Sequence, residues 1–318
     1  MAGEIEKKKP RIVILLGPTG IGKSRLAMEW AEELGGEIVS ADSMQVYRYM
    51  DIGTGKPTLD ERQRIRHHLI DLVNPDQPFH AALYRTLGRK AIDQLSQAEK
   101  PIWVVGGTGL YIKTLTQGLF TSPRIDPQVR ESLRREAEEK GAEALYERLK
   151  KVDSQTASLL HPHDLYRTMR ALEVYDSTGT PISFYRERHR FGESPYLTLK
   201  IGIEENRDRL YVRIEERVDQ MLEKGLLQEV ERLMEMGYGP ELKPMQSLGY
   251  KQMGQFLRKD LTWDEALRQM KRDTRHYARR QWTWFKADPE VHWWKESIGR
   301  REILLRVKSF LGRGGAMA

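Results

Sequence analysis

A glycine-rich segment, GPTGIGKS at residues 17–24, constrains the fold of this chain more than any other part of the sequence. It matches the pattern G-x-x-x-x-G-K-[ST] in full, and the apolar run RIVILL (residues 11–16) ends just before it. Glycines let backbone N–H groups converge on phosphate oxygens, and the N-terminus of a following helix adds a favourable field. The segment therefore predicts a strand, a phosphate-binding loop and a helix, in that order.

Every residue of this loop is a candidate contact of a phosphate group. The mobile charge of Lys23 suits a phosphate oxygen, and the hydroxyl of Ser24 suits Mg²⁺. The predicted phosphate-binding residues are Gly17, Pro18, Thr19, Gly20, Ile21, Gly22, Lys23 and Ser24.

Strand-like and helix-like runs alternate after the loop. GEIVSAD (residues 36–42) and KPIWVVGGTGLYI (residues 100–112) are typical of buried strands, and AALYRTLGRKAIDQLSQAEK (residues 81–100) between them is typical of a helix. YLTLKIGIEE (residues 196–205) predicts a returning strand, followed by long helices over residues 208–237 and 262–285. This order predicts an α/β fold, a P-loop NTPase-like parallel sheet flanked by helices.

A helical insertion interrupts this pattern. From residue 122 to residue 194 the sequence carries dense alternating charge at helical spacing, and no strand-like run interrupts it. We therefore predict an α/β core domain formed by residues 1–121 and 195–318, and a helical insertion domain formed by residues 122–194.

Composition excludes several kinds of protein. The 318 residues include no cysteine, which excludes disulfides, thiolate zinc sites and cysteine nucleophiles. No apolar run approaches the roughly 18 residues that a membrane-spanning helix needs. The N-terminal MAGEIEKKKP lacks the apolar stretch of a signal peptide. We expect a cytoplasmic protein without a membrane partner, and nothing in the sequence requires more than a monomer.

The central strand ends without the acidic residue that an NTPase normally uses there. PIWVV is followed by Gly106, Gly107 and Thr108, so Asp42, after the strand of residues 36–42, is the best acidic candidate near the loop. Asp42 could be a metal ligand, a catalytic base or a helix cap. Gln45 carries an amide suited to a base edge, and Thr108 could support a base, contact phosphate or belong only to a tight turn.

The net charge of +7 is concentrated in one predicted helix. Between Arg268 and Lys286 there are seven lysines and arginines but only one aspartate. Arg272, Arg275 and Arg279 share one helical face. This excess favours a polyanion such as a nucleic-acid backbone, although a solvated, salt-bridged helix face is the alternative.

Two functions from different classes fit these residues. A small-molecule kinase would use ATP at the loop and would not need the basic helix. A nucleotide-switched RNA-binding protein would use Asp42 only as a metal ligand.

Seven motifs taken in order resemble those of the tRNA dimethylallyltransferases, also called tRNA isopentenyltransferases. The resemblance extends from Arg11 to Phe285 and is far more specific than the phosphate loop alone. The motifs are GPTGIGKS, SADSMQVYR with MDIGTGKPT, HHLID, VGGTGLYI, RALEVY, LGYKQM and TRHYARRQWTWF.

The resemblance implies transfer of a dimethylallyl group from dimethylallyl diphosphate to N6 of the adenosine immediately 3′ of the anticodon in tRNA. The loop would then hold the diphosphate leaving group, with Mg²⁺ at Ser24, and Asp42, Thr108 and Lys23 would be catalytic. Arg217 would add a clamp on the diphosphate, unless it belongs to a solvated helix face. N6 becomes strongly acidic as it bonds to carbon, and a carboxylate such as Asp42 can take its proton.

The resemblance also implies a set of contacts with the anticodon stem-loop of tRNA. The basic helix independently suggests three further contacts, Arg272, Arg275 and Arg279. The implied set is Asp42, Ser43, Met44, Gln45, Thr108, Arg130, Tyr166, Arg167, Thr168, Met169, Arg170, Gln246, Ser247, Leu248, Gly249, Tyr250 and Lys251.

Overall fold

A computed structural model of the protein describes residues 9–119, 126–189, 192–295 and 300–312. The chain divides into two compact units, called here the core unit (Met1–Thr116 and Ser194–Ala318) and the helical unit (Gln117–Glu193). The insertion predicted for residues 122–194 overlaps the helical unit, and residue 122 itself lies outside the described residues.

The described part of the core unit contains a six-stranded sheet in which all neighbouring strands are parallel. This confirms the predicted α/β fold. The order across the sheet is β3-β2-β4-β1-β5-β6. The strands are β1 Arg11–Leu16, β2 Glu37–Ser40, β3 His67–His68, β4 Ile102–Gly106, β5 Leu197–Glu204 and β6 Val291–Lys295.

Helices connect these strands and form the whole of the helical unit's regular structure within the described residues. The core unit contains α1 Lys23–Leu34, α2 Leu59–Arg64, α3 Ala81–Gln97, α9 Arg207–Glu223, α10 Leu226–Glu235, α11 Tyr250–Leu257, α12 Trp263–Lys286 and α13 Arg300–Phe310. α4 Gly109–Gln117 ends at the boundary, and the helical unit contains α5 Pro127–Val152, α6 Ser154–Ser158, α7 Leu165–Thr178 and α8 Ile182–His189.

Alternating residues of β1 belong to two different cores. Ile12 and Ile14 pack in the core that includes α3, whereas Val13 and Leu15 pack in the core that includes α1. Successive side chains of a strand point to opposite faces, so both faces of the sheet are covered by helices. This burial explains why the run RIVILL is apolar throughout.

The helices that follow β1 and β4 lie on opposite faces of the sheet, since α1 packs in one core and α4 in the other. β1 and β4 are neighbours, with Leu16 paired to Gly106 at their carboxyl ends. Ligands of open α/β sheets bind in the crevice at such a switch point. The phosphate loop and the glycine turn after β4 border this crevice.

Two local predictions were wrong, and two elements were not predicted. The residues GLYI do not continue the third predicted strand but begin α4. The helix predicted over residues 208–237 is broken at Gly225, which has a left-handed φ of 96°. Neither the edge strand β6 nor α13 was predicted, because their short runs mix buried and exposed side chains.

The helical unit has its own small core. Leu145 and Leu149 of α5 pack with Leu172 of α7 and Ile182 of α8. α5 is broken at Gly141, which has a φ of 81°. In both units, no helix of the described residues combines the length and apolar composition needed to cross a membrane.

Candidate active site

The phosphate loop connects β1 directly to α1. Gly20 and Gly22 have positive φ values of 80° and 95°, a conformation that glycine adopts without a steric penalty. Gly22 is the N-cap of α1, and its side-chain-free backbone begins the helix. The predicted strand, loop and helix are therefore all present, and the loop presents the N-terminus of α1 to the crevice.

Lys23 lies at the inner end of this loop. Its Nζ donates a hydrogen bond of 2.7 Å to the carbonyl of Pro18. The pKa of Lys23 is lowered to about 7, chiefly by burial; Asp42 opposes this shift, and the neighbouring Arg217 adds to it. Lys23 is therefore close to losing its charge at neutral pH unless an anion lies beside it.

Arg217 reaches the same crevice from α9. A Cβ atom at Gly55 would lie 1.9 Å from an Nη atom of Arg217, so the guanidinium packs directly on the Gly55 backbone. Burial lowers the pKa of Arg217, and Asp42 raises it. No carboxylate of the described residues lies within 4.0 Å of Lys23 Nζ or of the Arg217 guanidinium. Two cations without an ion-pair partner make this part of the crevice suitable for an anion.

Asp42 follows β2 at the carboxyl edge of the sheet. Its Oδ1 accepts hydrogen bonds from the backbone N–H groups of Met44 (2.8 Å) and Gln45 (3.4 Å). Within the described chain, no group donates a hydrogen bond to Oδ2. One oxygen thus caps the following turn and fixes the carboxyl group, and the other remains available for chemistry. The capping role and a catalytic role are compatible.

Thr108 lies beside Asp42 at the end of β4. Its Oγ1 accepts a hydrogen bond of 3.0 Å from the backbone N–H of Ser43, and its own N–H donates to the carbonyl of Ala41 at 3.1 Å. The Thr108 hydroxyl is also within hydrogen-bonding reach of Tyr277, a residue of α12 whose pKa is raised by burial. The turn therefore joins the ends of β2 and β4 to α12.

The side-chain amide of Gln45 forms hydrogen bonds within the protein. Its Oε1 accepts a hydrogen bond of 2.9 Å from the Ser40 hydroxyl, and its Nε2 donates to the carbonyl of Gly55 at 3.2 Å. The prediction that this amide reads a base edge does not fit this structure, because both ends of the amide are already engaged.

Gln281 of α12 is a site residue that sequence reasoning missed. Its Oε1 accepts a hydrogen bond of 2.9 Å from the N–H of Thr19, and its Nε2 donates to the carbonyl of Gly107 at 2.9 Å. A Cβ atom at Gly107 would lie 2.2 Å from this Nε2. The only sign of this role in the sequence was an uncharged glutamine within the basic run RRQWTWF.

Two cavities meet at Asp42. The loop cavity, about 850 Å³, is lined by Lys23, Ser24 and neighbouring residues. The α11–α12 cavity, about 420 Å³, lies towards those two helices. The residues that line both cavities are Thr19, Asp42, Thr54, Arg217, Met221 and Tyr277.

The predicted tRNA contacts at residues 246–251 lie at the second of these cavities. Gln246, Ser247, Leu248 and Lys251 contribute to its lining. Tyr250 also borders it, but its side chain is buried and its hydroxyl donates to a carboxylate inside the protein. Its predicted role as a surface contact is therefore corrected to a structural one.

In the helical unit, Glu173 holds two of the predicted tRNA contacts. Arg130 donates to both carboxylate oxygens, at 2.8 Å and 3.1 Å, and Arg170 donates to one of them at 3.1 Å. These ion pairs lower the pKa of Glu173 against the opposing effect of its burial. The two guanidinium groups are therefore held together on one side of a buried carboxylate.

The neighbouring predicted contacts on α7 differ in exposure. Tyr166 is 80% exposed, and Arg167 is exposed and forms an ion pair with Asp164 at 3.1 Å. Met169 packs partly against the core of the helical unit. Thr168 is fully buried, so the prediction that its side chain contacts tRNA is wrong for this conformation.

The basic face of α12 is partly neutralised. Arg275 forms an ion pair with Glu215 of α9, and Arg272 pairs with Asp273 at 2.9 Å. The charge count in the sequence included only the acidic residues of α12 itself, so it left out Glu215 of α9. Arg279 is exposed and has no ion-pair partner within the described residues, so it keeps its full charge for an external partner.

Comparison with known proteins gives concordant results. The model of the IPP transferase family matches residues 45–288. A tRNA dimethylallyltransferase from Syntrophobacter fumaroxidans is 52% identical over 282 residues, which cover 89% of this chain and 82% of that protein. The tRNA dimethylallyltransferase 2 of Syntrophus aciditrophicus is 49% identical over 314 residues, covering 99% and 100% of the two chains.

Solved structures give the same family. The full-length tRNA isopentenylpyrophosphate transferase of Bacillus halodurans superposes with a TM-score of 0.70 at 35% identity, covering 96% of each chain. A eukaryotic dimethylallyltransferase acting on tRNA superposes with a TM-score of 0.81 at 27% identity, covering 97% of this chain and 81% of that one.

The lowered pKa of Lys23 predicts how anion binding depends on pH. Above pH 7 the free protein loses the Lys23 charge, so affinity for inorganic diphosphate should fall by up to about tenfold per pH unit. Binding should also take up protons there, because the anion raises the Lys23 pKa. Calorimetry in two buffers of different ionisation enthalpy measures this uptake. The Lys23→Gln variant measures the protons that diphosphate itself takes up on binding. If this variant takes up as many protons as the wild type, Lys23 is not the group that gains a proton.

Proposed function

The chain belongs to the IPP transferase family, and on that premise we propose that it transfers a dimethylallyl group from dimethylallyl diphosphate to tRNA. The acceptor is N6 of the adenosine immediately 3′ of the anticodon. The observation that carries this proposal is the meeting of two cavities at Asp42, one lined by residues of the phosphate loop and the other by residues 246–248, 250 and 251. The prenyl donor and the target adenine can therefore approach the Asp42 carboxylate from different sides.

The loop cavity takes the diphosphate of the donor. Lys23, Arg217 and the N–H groups of the loop stabilise the negative charge that builds up as the leaving group departs. Groups that lie in a partly dehydrated crevice do this more effectively than the same groups in water. The lowered pKa values of Lys23 and Arg217 reflect the same dehydration.

Asp42 acts as the general base. N6 forms a bond to C1 of the dimethylallyl group, the bond from C1 to the diphosphate oxygen breaks, and diphosphate leaves with the electron pair. The proton of N6 passes to the carboxylate of Asp42, whose Oδ1 is held by Met44 and Gln45. Thr108 accepts a hydrogen bond from the N–H of Ser43 and so holds the turn beside Asp42.

Mg²⁺ fits the donor set of the loop cavity. Ser24 is exposed there, and no group of three or more acidic or histidine ligands occurs among the described residues. Mg²⁺ is commonly held by substrate phosphates, waters and only one or two protein oxygens. Bound by Ser24 and the diphosphate, the ion would neutralise charge on the leaving group.

The α11–α12 cavity takes the target adenine. A base must leave its stack before chemistry can reach one of its atoms. Lys251 and Arg280 at this cavity, together with the exposed Arg279, can contact the surrounding RNA backbone. In the helical unit, Arg130 and Arg170 supply further positive charge for tRNA.

Mass spectrometry of the tRNA tests the reaction. Purified protein is incubated with Mg²⁺, unmodified tRNA and either dimethylallyl diphosphate or ATP. We expect the tRNA to gain one dimethylallyl group only with the prenyl donor. ATP consumption without a gain in tRNA mass would favour a small-molecule kinase, and tRNA binding controlled by nucleotide without any transfer would favour a switched RNA-binding protein.

Asp42→Asn separates the base role from the structural role. Asparagine keeps an oxygen that can cap Met44 and Gln45 but cannot accept the N6 proton. We expect tRNA affinity to change little and the single-turnover rate of transfer to fall by about 10²–10⁴-fold. A single-turnover rate near that of the wild type would show that Asp42 is not the base.

Arg279→Gln tests the basic face of α12. Because the Arg279 charge is unpaired within the described chain, its removal should weaken tRNA binding and reduce the slope of log affinity against log salt by about 1. Arg64→Gln, which removes an exposed arginine paired with Glu32, is the control. If both variants show the wild-type slope, Arg279 does not contact the RNA backbone.

A further inference from the structure

Glu229 of α10 is a buried carboxylate outside all the motifs described above. Its side chain is 2% exposed and accepts four hydrogen bonds. Oε2 accepts from the N–H groups of Asp51 (3.0 Å) and Ile52 (2.8 Å). Oε1 accepts from the N–H of Gly53 (3.2 Å) and from the hydroxyl of Tyr250 (2.6 Å).

This arrangement fixes one short stretch of backbone. A buried carboxylate is costly unless donors surround it, and here three of the four donors are consecutive N–H groups of residues 51–53. A Cβ atom at Gly53 would lie 2.4 Å from the ring of Tyr250, so the ring packs directly on this backbone. Glu229 and Tyr250 therefore hold residues 51–53 from two sides.

The backbone of residues 51–53 continues directly into residues 54 and 55, which line the cavities. Thr54 lines both cavities. The carbonyl of Gly55 accepts the hydrogen bond of Gln45, and the guanidinium of Arg217 packs on the Gly55 backbone. The N–H of Gly55 donates to the carbonyl of Ile52 at 3.0 Å. A shift of residues 51–53 would therefore disturb the contacts of Gly55 with Arg217 and Gln45.

We propose that Glu229 is a positioning residue for the transfer reaction. It sets Arg217 against the loop cavity through the backbone of residues 51–55. It also connects that backbone to Tyr250, which borders the α11–α12 cavity. This inference rests on the proposed function, in which Arg217 contacts the diphosphate of the donor.

Glu229→Gln is the principal test. If Oε2 becomes the NH₂ group, the N–H groups of Asp51 and Ile52 lose their acceptor. If Oε1 does, the N–H of Gly53 loses its acceptor and the Tyr250 hydroxyl must turn to accept. The volume of the side chain stays the same. We expect kcat/KM for dimethylallyl diphosphate to fall about tenfold or more, because small misplacements of a clamp are costly. We also expect weaker binding of inorganic diphosphate in calorimetry.

Two control variants on the same helix separate positioning from stability. Val230→Ala removes methyl groups from a fully buried neighbour of Glu229, and Glu231→Gln changes an exposed carboxylate. We expect Val230→Ala to lower the thermal midpoint without changing KM for the donor, and Glu231→Gln to change neither. If Glu229→Gln lowers only the thermal midpoint, as Val230→Ala does, the positioning role is overturned.

A second variant decides the matter if Glu229→Gln does not fold. Tyr250→Phe removes one of the four donors and leaves the three backbone donors in place. Tyr250 does not line the loop cavity, so a fall of several-fold in diphosphate affinity by this variant would support the proposal. Unchanged diphosphate affinity in Tyr250→Phe would count against it.

The outcomes distinguish this inference from the proposed function. If the wild-type protein transfers no dimethylallyl group to tRNA, the proposed function fails, whatever the variants do. If the wild type transfers the group and Glu229→Gln matches Val230→Ala in both kcat/KM and diphosphate affinity, only the positioning role fails.

Discussion

The site depends on the close approach of backbone at the carboxyl end of β4. A Cβ atom at Gly106 would lie 2.2 Å from the carbonyl of Ala41, and one at Gly107 would meet Gln281. Because neither residue has a side chain, β2 and α12 both come into direct contact with this turn. The hydrogen bonds from Ala41 to Val105 and from Thr108 to Ala41 follow from that contact. Asp42 lies next to Thr108 as a result.

The same approach explains why the crevice carries an excess of positive charge. A glycine turn, which carries no carboxylate, faces the phosphate loop, and among the described residues Asp42 is the negative group that acts on both Lys23 and Arg217. The lowering of the Lys23 pKa to about 7 means that the crevice disfavours the charged ammonium by roughly 5 kcal/mol. An anion with more than one charge can offset this cost, which fits a diphosphate better than a neutral ligand.

The sequence predicted those parts of the site that lie next to each other along the chain or at neighbouring strand ends. The loop of residues 17–24 and the positions of Asp42 and Thr108 at the same edge of the sheet are of this kind, because parallel strands end at one edge. Gln281 and Glu229 were not predicted, since each meets partners more than 170 residues away. A sequence motif also does not indicate whether a side chain is exposed or buried. Tyr250 and Thr168 belong to segments implied to contact tRNA, yet both side chains are buried.

The position of Asp42 between two cavities resolves a conflict within the proposed reaction. A carboxylate placed among the phosphates would repel the leaving group, whereas one placed far from them could not take a proton from the attacking amine. Lys23 and Arg217 carry the charge on the diphosphate side, and the Asp42 carboxyl group is fixed by the backbone of Met44 and Gln45. In the proposed reaction, the leaving group and the nucleophile are thus served by groups of opposite sign. On this proposal, a fold that binds a diphosphate in one cavity carries out base-assisted transfer to an acceptor in the next.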